Sequence, residues 1–401
     1  KLREKLASAH VRDASHRIVS NVPVTVYQFN PLEFEGTVET ATGDVSVYSY
    51  TNDASLLLPV HALTGNYRVM SRATLQNHRE GAMVFGETFP AQVSAIPGFV
   101  AITGVEDEPT EVLVRSSAYT RASADGRIPA LRPGEALRVT LARGEVLQLI
   151  SDAPAGCRVG RTEPNIFGDT TYCKVSAEYD LTGTEITARG RVSVIAGHDC
   201  SFVPYDRYAC DHLEESMLPL ESWGTDFMLT VTATTNCDHE TPNVFRILAA
   251  HDDTTLSFTP EIAKPVMLMR GEYVEFESTR SFRLHASNAV MVAQLLVGQD
   301  YEGRRRSGSV FVGDPSLAVG VPIEQWRFNY PFLTPSTYVE NFINVVAREG
   351  ATVLLDGRVL GGFEPIEGTG MMVGRVRVEA GSHMLESTAI FGFLAYGFAP
   401  Y

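Results

Sequence analysis

A three-part motif recurs along the 401-residue chain and constrains its fold more than any single residue does. Each copy has a proline, a large apolar residue four positions later and an aromatic residue four positions after that. The copies are Pro59, Leu63 and Tyr67; Pro219, Trp223 and Phe227; and Pro322, Trp326 and Tyr330. An Asp-containing turn precedes each proline, and a strand-like hairpin follows it. Such repetition indicates tandem copies of one structural module.

The local sequence pattern predicts an all-β chain. Short runs rich in Val, Ile, Phe and Tyr are separated by Gly, Pro, Asp or Asn. The segments that predict strands are 22–29, 44–50, 99–105, 111–114, 136–141, 146–150, 191–195, 244–249, 273–276, 289–296 and 342–346. The stretches 219–223 and 322–326 predict single helical turns, because proline suits a first helical position. We expect tandem homologous β-sandwich-like units, with a closed propeller-like ring of the repeats as the alternative.

Each module closes with a similar strand, at 192–195, 290–293 and 391–394, and a fourth such strand at 23–29 has no hairpin before it. The chain is therefore expected to begin inside a truncated first repeat. The predicted domains are 1–60, the end of that repeat with linking strands; 61–205, the second repeat; 206–300, the third; and 301–401, the fourth. The second repeat carries an insertion at 119–179, and insertions into repeats usually form loops on one face.

Composition excludes several classes of protein. Hydrophobic residues make up 44% and charged residues 20% of the chain, which is typical of a folded protein. The net charge of −15 argues against a nucleic-acid partner. No apolar run approaches about 20 residues, so no membrane span is expected. The chain has four lysines and no N-glycosylation sequon, which together favour a bacterial source.

Five cysteines allow two kinds of site. Cys157 and Cys173 bracket one loop and Cys200 and Cys210 another, with spacings that suit short disulfide loops in an oxidising compartment. Cys237 is then the odd cysteine. The alternative is a zinc site, because His198, Cys200, Cys210 and His212 supply thiolates and imidazoles at high density, with Cys237 and His239 nearby. The spacing alone leaves both open.

Other candidate binding residues are charged. Arg304, Arg305 and Arg306 could hold an anionic partner, and Glu214 and Glu215 form an acidic pair. The two tryptophans of the motif are expected to fill equivalent core positions rather than to stack on sugars. The chain has no nucleophile elbow, zinc-protease motif or phosphate-binding glycine loop, so neither an enzyme nor a cofactor is predicted.

One stretch of the sequence resembles a known family. It runs from Ala196-Gly197-His198-Asp199-Cys200 through Cys210-Asp211-His212-Leu213-Glu214-Glu215 to Leu218-Pro219 and Trp223-Gly224. Further matches are Asn52-Asp53 before Leu56-Leu57-Leu58-Pro59, Asp180-Leu181-Thr182-Gly183-Thr184, and Tyr396-Gly397-Phe398. These residues resemble the N-terminal domain of the IgGFc-binding protein family and its bacterial relatives. The resemblance covers essentially the whole chain and implies an extracellular, repeat-built binding domain.

The expected function is therefore extracellular or cell-surface binding or adhesion, with a protein or glycan recognised by loops on a rigid repeat scaffold. The insertion at 119–179, with Cys157 and Cys173, is the favoured recognition element. A structural component of a surface assembly is one alternative, with other copies or envelope proteins as partners. A zinc-dependent hydrolase centred on 198–239 is the second alternative.

Overall fold

The computed structural model describes residues 7–29, 34–40, 43–49, 53–207, 210–233, 240–298, 315–338 and 340–398. The chain is all-β, as the sequence predicts, and its strands form several sheets, two of them half-barrels. Among the described residues there is no closed propeller. The described part of the chain contains no helix long and apolar enough to cross a membrane.

The strands follow one another closely. The first ten are β1 Ala9–Val11, β2 Tyr27–Phe29, β3 Phe34–Thr40, β4 Gly43–Ser49, β5 Ala54–Leu56, β6 Asn66–Arg68, β7 Leu75–Arg79, β8 Ala82–Val84, β9 Glu87–Phe89 and β10 Gln92–Ile96. The next nine are β11 Gly98–Gly104, β12 Thr110–Arg115, β13 Ala136–Leu141, β14 Val146–Ile150, β15 Val159–Glu163, β16 Thr170–Cys173, β17 Glu185–Ala188, β18 Val192–Phe202 and β19 Cys210–Ser216.

The remaining strands are longer on average. They are β20 Gly224–Leu229, β21 Asn243–Ala249, β22 Thr254–Thr259, β23 Val266–Leu268, β24 Tyr273–Ser278, β25 Phe282–Leu296 and β26 Ser316–Val319. After these come β27 Arg327–Thr334, β28 Glu340–Arg348, β29 Val353–Leu355, β30 Arg358–Val359, β31 Glu364–Ile366, β32 Met371–Val378 and β33 Gly381–Phe398.

The chain divides into two compact units. Unit 1 comprises Lys1–Gln28 and Asp53–Ser222, and unit 2 comprises Phe29–Asn52 and Trp223–Tyr401. The four repeats that the sequence predicts are a finer division, and their boundaries stay a prediction.

Unit 1 contains three larger sheets with strand orders β1-β14-β11-β18-β19, β10-β7-β16-β15 and β13-β12-β17-β6. Alternate residues of β11 are buried, which is the pattern of a strand with one face on the core. The largest fully buried side chains of the unit include Tyr67, Ile102 and Leu149.

Unit 2 contains two seven-stranded sheets and the hairpin β3–β4. In one sheet β25 lies between β22 and β21, and in the other β33 lies between β29 and β28. Each sheet encloses its own apolar cluster, the first around Phe245 and Phe282 and the second around Ile343 and Phe391. Two modules with separate cores therefore share this unit.

Short 3-10 turns follow each repeated proline, at Val60–Ala62, Leu220–Ser222 and Ile323–Gln325. The turns predicted at 219–223 and 322–326 are confirmed, and a fourth 3-10 turn lies at Ala177–Tyr179. Trp223 and Trp326 are each 8% exposed. Both tryptophans thus fill the core, as the repeat predicts.

A second landmark repeats with the same hydrogen bonds. Gly144 and Gly271 both adopt positive φ, of 80° and 81°, which favours glycine. The glutamate that follows each glycine accepts a hydrogen bond from the backbone N–H three residues before it: Glu145 from Ala142 at 3.0 Å, and Glu272 from Met269 at 2.9 Å. Equivalent sequence positions therefore make equivalent turns.

Two groups of strands differ from the prediction. The segment predicted as the strand 22–29 forms a strand only at its end, at Tyr27–Phe29. Residues 21–26 make no strand pairing, and Val22 and Val24 are exposed. β25 and β33 are much longer than the sequence indicates. Each changes partner along its length, from β22 to β21 or from β29 to β28, so polar residues at the crossover interrupt the apolar pattern without ending the strand.

Candidate binding surface at two hairpin tips

The predicted insertion contributes half of a four-stranded sheet in unit 1. β15 and β16 form a hairpin inside residues 119–179, and β16 pairs with β7, which precedes the insertion. β10 pairs with the other edge of β7. Beyond the pair Arg79 and Gln92 the chain continues as a smaller hairpin, β8–β9.

The β8–β9 hairpin ends in an aromatic side chain that contacts solvent on all sides. Its two-residue loop is Phe85 and Gly86, with φ of 51° and 87°. Positive φ at both positions matches the turn that suits a two-residue hairpin, where Asn or Asp usually precedes Gly. A bulky residue rarely adopts this conformation. Phe85 is nevertheless 100% exposed, and Met83 beside it is 77% exposed.

The β15–β16 hairpin brings a second apolar tip to the same end of the sheet. Ile166 is 70% exposed, and the neighbouring Phe167 is also exposed. The ring of Phe167 lies 4.9 Å from the ring of Phe89, centroid to centroid. We define the hairpin-tip surface as Met83, Phe85, Phe89, Ile166 and Phe167.

Backbone contacts hold the two hairpins together. The N–H of Glu80 donates to the carbonyl of Asp169 at 2.9 Å. Gly168, with φ of 109°, lies against the carbonyl of Glu80, where a Cβ would come within 1.9 Å of the oxygen. At the other end of β15 and β16, the disulfide between Cys157 and Cys173 closes the hairpin with a Cα–Cα distance of 5.1 Å. The tips therefore sit on a braced scaffold.

Such a surface is suited to binding rather than to catalysis. Contiguous exposed apolar side chains on a folded protein mark interaction sites, and aromatic anchors contribute most of the binding energy at protein interfaces. Bracing lowers the entropy lost when a partner orders the loops.

The second disulfide joins Cys200 and Cys210, with a Cα–Cα distance of 5.2 Å, and both disulfides are confirmed. Their sulfur atoms are bonded to each other and so are not thiolate ligands for zinc. His78 lies near Cys157 and Cys173, but these two sulfur atoms are also joined in a disulfide and so are not thiolate ligands.

His198 also lacks the properties of a metal ligand. Its ring is fully buried, with Nε2 3.1 Å from the carbonyl of Ala73 and Nδ1 3.2 Å from the N–H of Cys200. The neutral ring thus donates at Nε2 and accepts at Nδ1, so the backbone uses both nitrogens. Burial, assisted by the charge of Arg72, lowers the pKa of His198 to about 3. The structure therefore favours the disulfide over the zinc alternative.

His212 lies on the neighbouring strand in a different environment. Its ring stacks on Phe99 at 5.6 Å, and Nε2 is 3.6 Å from a carboxylate oxygen of Glu214. Burial alone would lower the pKa of His212, but the contact with Glu214, together with the charges of Asp53 and Asp199, outweighs burial and raises the pKa.

The acidic pair lies in strand β19. Gln28 donates to the side chain of Glu214, and the N–H of Glu214 donates to Asp53 at 2.6 Å. Burial, with the nearby charge of Asp53, raises the pKa of Glu215 well above its usual value. These contacts favour a structural role for both glutamates, and a binding role for them stays a prediction. Arg304, Arg305, Arg306, Cys237 and His239 lie outside the described residues.

The insertion predicted from the sequence supplies one of the two hairpin tips of this surface. The insertion contains Ile166 and Phe167, but the hairpin with Phe85 lies outside it. The available signal was the pair Phe85 and Gly86 between two short runs, Ala82–Val84 and Glu87–Phe89, because a glycine at this place is typical of a two-residue turn.

Comparisons with known proteins agree with the resemblance in the sequence. The family model described as IgGFc binding protein matches residues 53–397. A human protein, IgGFc-binding protein, is 25% identical over 359 residues, which cover 87% of this chain and 6% of the human protein. The chain thus spans a small part of that relative.

Among solved structures, an anti-sigma factor domain-containing protein from Clostridium clariflavum covers 81% of this chain and 95% of its own, with 7% identity and a TM-score of 0.11. That likeness is too low to bear on the fold. The family match extends over most of the chain and includes the Cys200–Cys210 block, so the protein belongs to the IgGFc binding protein family.

Proposed function

We propose that this chain is an extracellular protein-binding domain that engages its partner through the hairpin-tip surface. The observation that carries the proposal is Phe85, a fully exposed aromatic residue held at a positive φ that its side chain disfavours. Local strain of this kind persists when the surrounding structure imposes it, and it concentrates at functional positions.

Three further features support this function. Ile166 and Phe167 are further exposed apolar side chains at the same end of the sheet, and Phe89 contacts Phe167 across the two hairpins. Both disulfides suit an oxidising, extracellular compartment. The family match supports a protein partner, while Trp223 and Trp326, the candidate sugar platforms, are buried.

The purified Fc fragment of immunoglobulin G is the first probe, because the human relative is named for binding it. Binding of the chain to immobilised Fc would be compared with that of Phe85→Ser and Ile166→Ser. We expect each substitution to weaken binding at least tenfold, the effect of losing about 1.4 kcal/mol at an anchor residue.

The matched control is Val359→Ser. Val359 is as exposed as Ile166 but lies in unit 2, in the hairpin β29–β30. Equal binding by wild type and Phe85→Ser would reject the hairpin-tip surface as the site. Lack of binding by the wild-type chain would reject Fc as the partner.

A structural role in a surface assembly is the second candidate. This candidate is supported by one edge of β33 over 392–398, which no strand pairs with among the described residues and which is treated in the next section.

A further inference from the structure

The final strand of each complete module is a central strand with two edges to fill. In unit 1, β18 pairs with β11 on one edge and with β19 on the other. In unit 2, β25 pairs with β21 and with β26 in the same way. β19 and β26 each lead directly into the next repeated proline, so one module's sheet is completed by the strand that begins the following module.

The register of this strand addition is the same each time. The residue three positions before the proline pairs with the final strand, Ser216 with Ile195 and Val319 with Ala293. The N–H two positions before the proline then donates to the final strand's carbonyl. These bonds join Leu57 to Val26 at 2.9 Å, Met217 to Val194 at 2.8 Å and Gly320 to Val292 at 2.8 Å.

The turn after the proline makes a second, equally repeated contact. Glu221 accepts hydrogen bonds from the side chains of Thr64 and Asn66, at 3.0 and 2.7 Å. Glu324 accepts from the N–H and hydroxyl of Thr225, at 3.1 and 3.0 Å. In both cases the glutamate lies two positions after the proline. Its hydrogen-bond donors lie in the preceding module, at the start of that module's first strand or just before it.

The fourth module differs from the others at this interface. Its final strand, β33, pairs with β28 over 392–398. On the opposite edge β27 pairs with β33 only as far as Phe391, which lies opposite Arg327 at the start of β27, and no described strand pairs with that edge over 392–398. By register, Phe393 corresponds to Val194 and Val292, so Phe393, Ala395 and Gly397 direct their backbone groups to the open edge.

The surface beside this edge is also uncovered. β27 corresponds to β20, in which Met228 packs on Trp326 of the following module. In β27 the residue at the position of Met228 is Pro331, which is exposed, and Phe328, next to Arg327 at the start of the strand, is 55% exposed. Arg327 and Asn329 are exposed at the positions of Thr64 and Asn66, and so could donate to an incoming glutamate.

We propose that the open edge of β33 and the start of β27 together bind the strand–turn segment of a further module of this repeat family. That segment is an extended strand, then a proline, with a glutamate two positions after it. The strand would extend the sheet at Phe393–Gly397 through main-chain hydrogen bonds, the mode of recognition known as strand addition. Arg327 would pair with the glutamate.

A synthetic peptide of residues 315–326 is the probe, because it is the segment that completes the third module's sheet. We expect it to bind the full chain saturably and to slow amide exchange at Ala395 and Gly397. The Ala395→Pro variant removes an N–H that faces the open edge and not β28, and it should bind at least tenfold more weakly. Ala395→Ser keeps the N–H and should bind as wild type does.

Two peptide variants make the test independent of how the Ala395→Pro chain folds. Replacing Ala318 of the peptide by proline should abolish binding, and Glu324→Gln in the peptide should weaken it roughly tenfold, as expected for a lost hydrogen bond to a charged group. Equal binding by all peptides would overturn the proposal. So would unchanged exchange at Ala395 and Gly397, or no binding at millimolar peptide.

Analytical sedimentation of the chain without peptide tests whether the open edge binds a further module, as proposed, or a second copy of this chain. A second copy is a poor donor, because its Leu57 is already bonded to Val26 and it has His61 where the other turns have glutamate. We expect no self-association. Oligomers that disappear in Ala395→Pro would show that a second copy fills the edge and would overturn the assignment to a further module.

Discussion

The hydroxyl of Tyr67 donates a 2.9 Å hydrogen bond to the carbonyl of Val192, which ties the first strand of the module to its last. The same hydroxyl accepts from the N–H of Thr64 at 3.2 Å. Tyr330 repeats both bonds, with Phe391 at 3.0 Å and Arg327 at 2.7 Å. Two of the three copies therefore make the same pair of hydrogen bonds, and in the third copy Phe227 occupies the position without a hydroxyl.

Tyr67→Phe should destabilise unit 1 by about 1–3 kcal/mol, because the buried carbonyl of Val192 would lose its partner. Tyr330→Phe should cost less, since Tyr330 is only partly buried. Urea unfolding followed by fluorescence would measure both. A Tyr67→Phe chain as stable as wild type would show that the bond contributes nothing.

Phe85→Asn should separate stability from binding. Asn adopts a positive φ more readily than Phe, so the turn should gain about 0.5–1 kcal/mol or stay unchanged. Binding to the partner should fall at the same time, because the aromatic anchor is gone. Urea unfolding and a binding measurement on one preparation would test both expectations, and a clear loss of stability would contradict the strain argument.

Replacing Cys157 and Cys173 by serine should weaken binding more than it affects the rest of the fold. This disulfide closes the β15–β16 hairpin, and a loop of this length is typically stabilised by about 2–4 kcal/mol. Without the bond, Ile166 and Phe167 should become mobile, which faster amide exchange in β15 and β16 would detect.

The control is the Cys200/Cys210→Ser chain, since that disulfide lies between β18 and β19 and does not close the β15–β16 hairpin. Equal loss of partner binding in both double variants would argue against a specific role for the braced hairpin.

His198 should make the protein less stable in acid. Burial lowers its pKa in the folded chain to about 3, whereas an unfolded histidine has its ordinary value of about 6.5. Between these values the unfolded chain binds a proton that the folded chain does not, so the stability present above pH 6.5 is lost as the pH falls. The slope from this residue is at most about 1.4 kcal/mol per pH unit.

His198→Gln keeps hydrogen-bonding groups but does not titrate. The free energy of unfolding of this variant, measured by urea denaturation from pH 7 to pH 4, should fall less steeply than that of wild type. Parallel curves for the two chains would mean that His198 does not contribute to the acid sensitivity.

The sequence located the repeated landmarks better than it located the hairpin-tip surface. The strands near 99–114 and 244–258 are predicted from their enrichment in Val, Ile, Phe and Tyr between turn residues. β11 and β22 bury alternate residues, whereas β21 is buried along its whole length. The segment 22–26 shows the same apolar enrichment, but it lies outside the ladders that the described residues form. The local sequence pattern indicates that a segment is able to form a strand, but the segment becomes part of a sheet only where a partner strand pairs with it.

The sequence by itself determined that this is a repeated β protein, because Pro59, Pro219 and Pro322 each begin the same local turn, and local turns depend on neighbouring residues alone. It also determined that the cysteines could pair within short loops. Only the tertiary structure decided that Phe85 and Ile166 reach the same end of one sheet and that the edge of β33 is open among the described strands. These features depend on which distant strands pair with each other, and no short stretch of sequence encodes that choice.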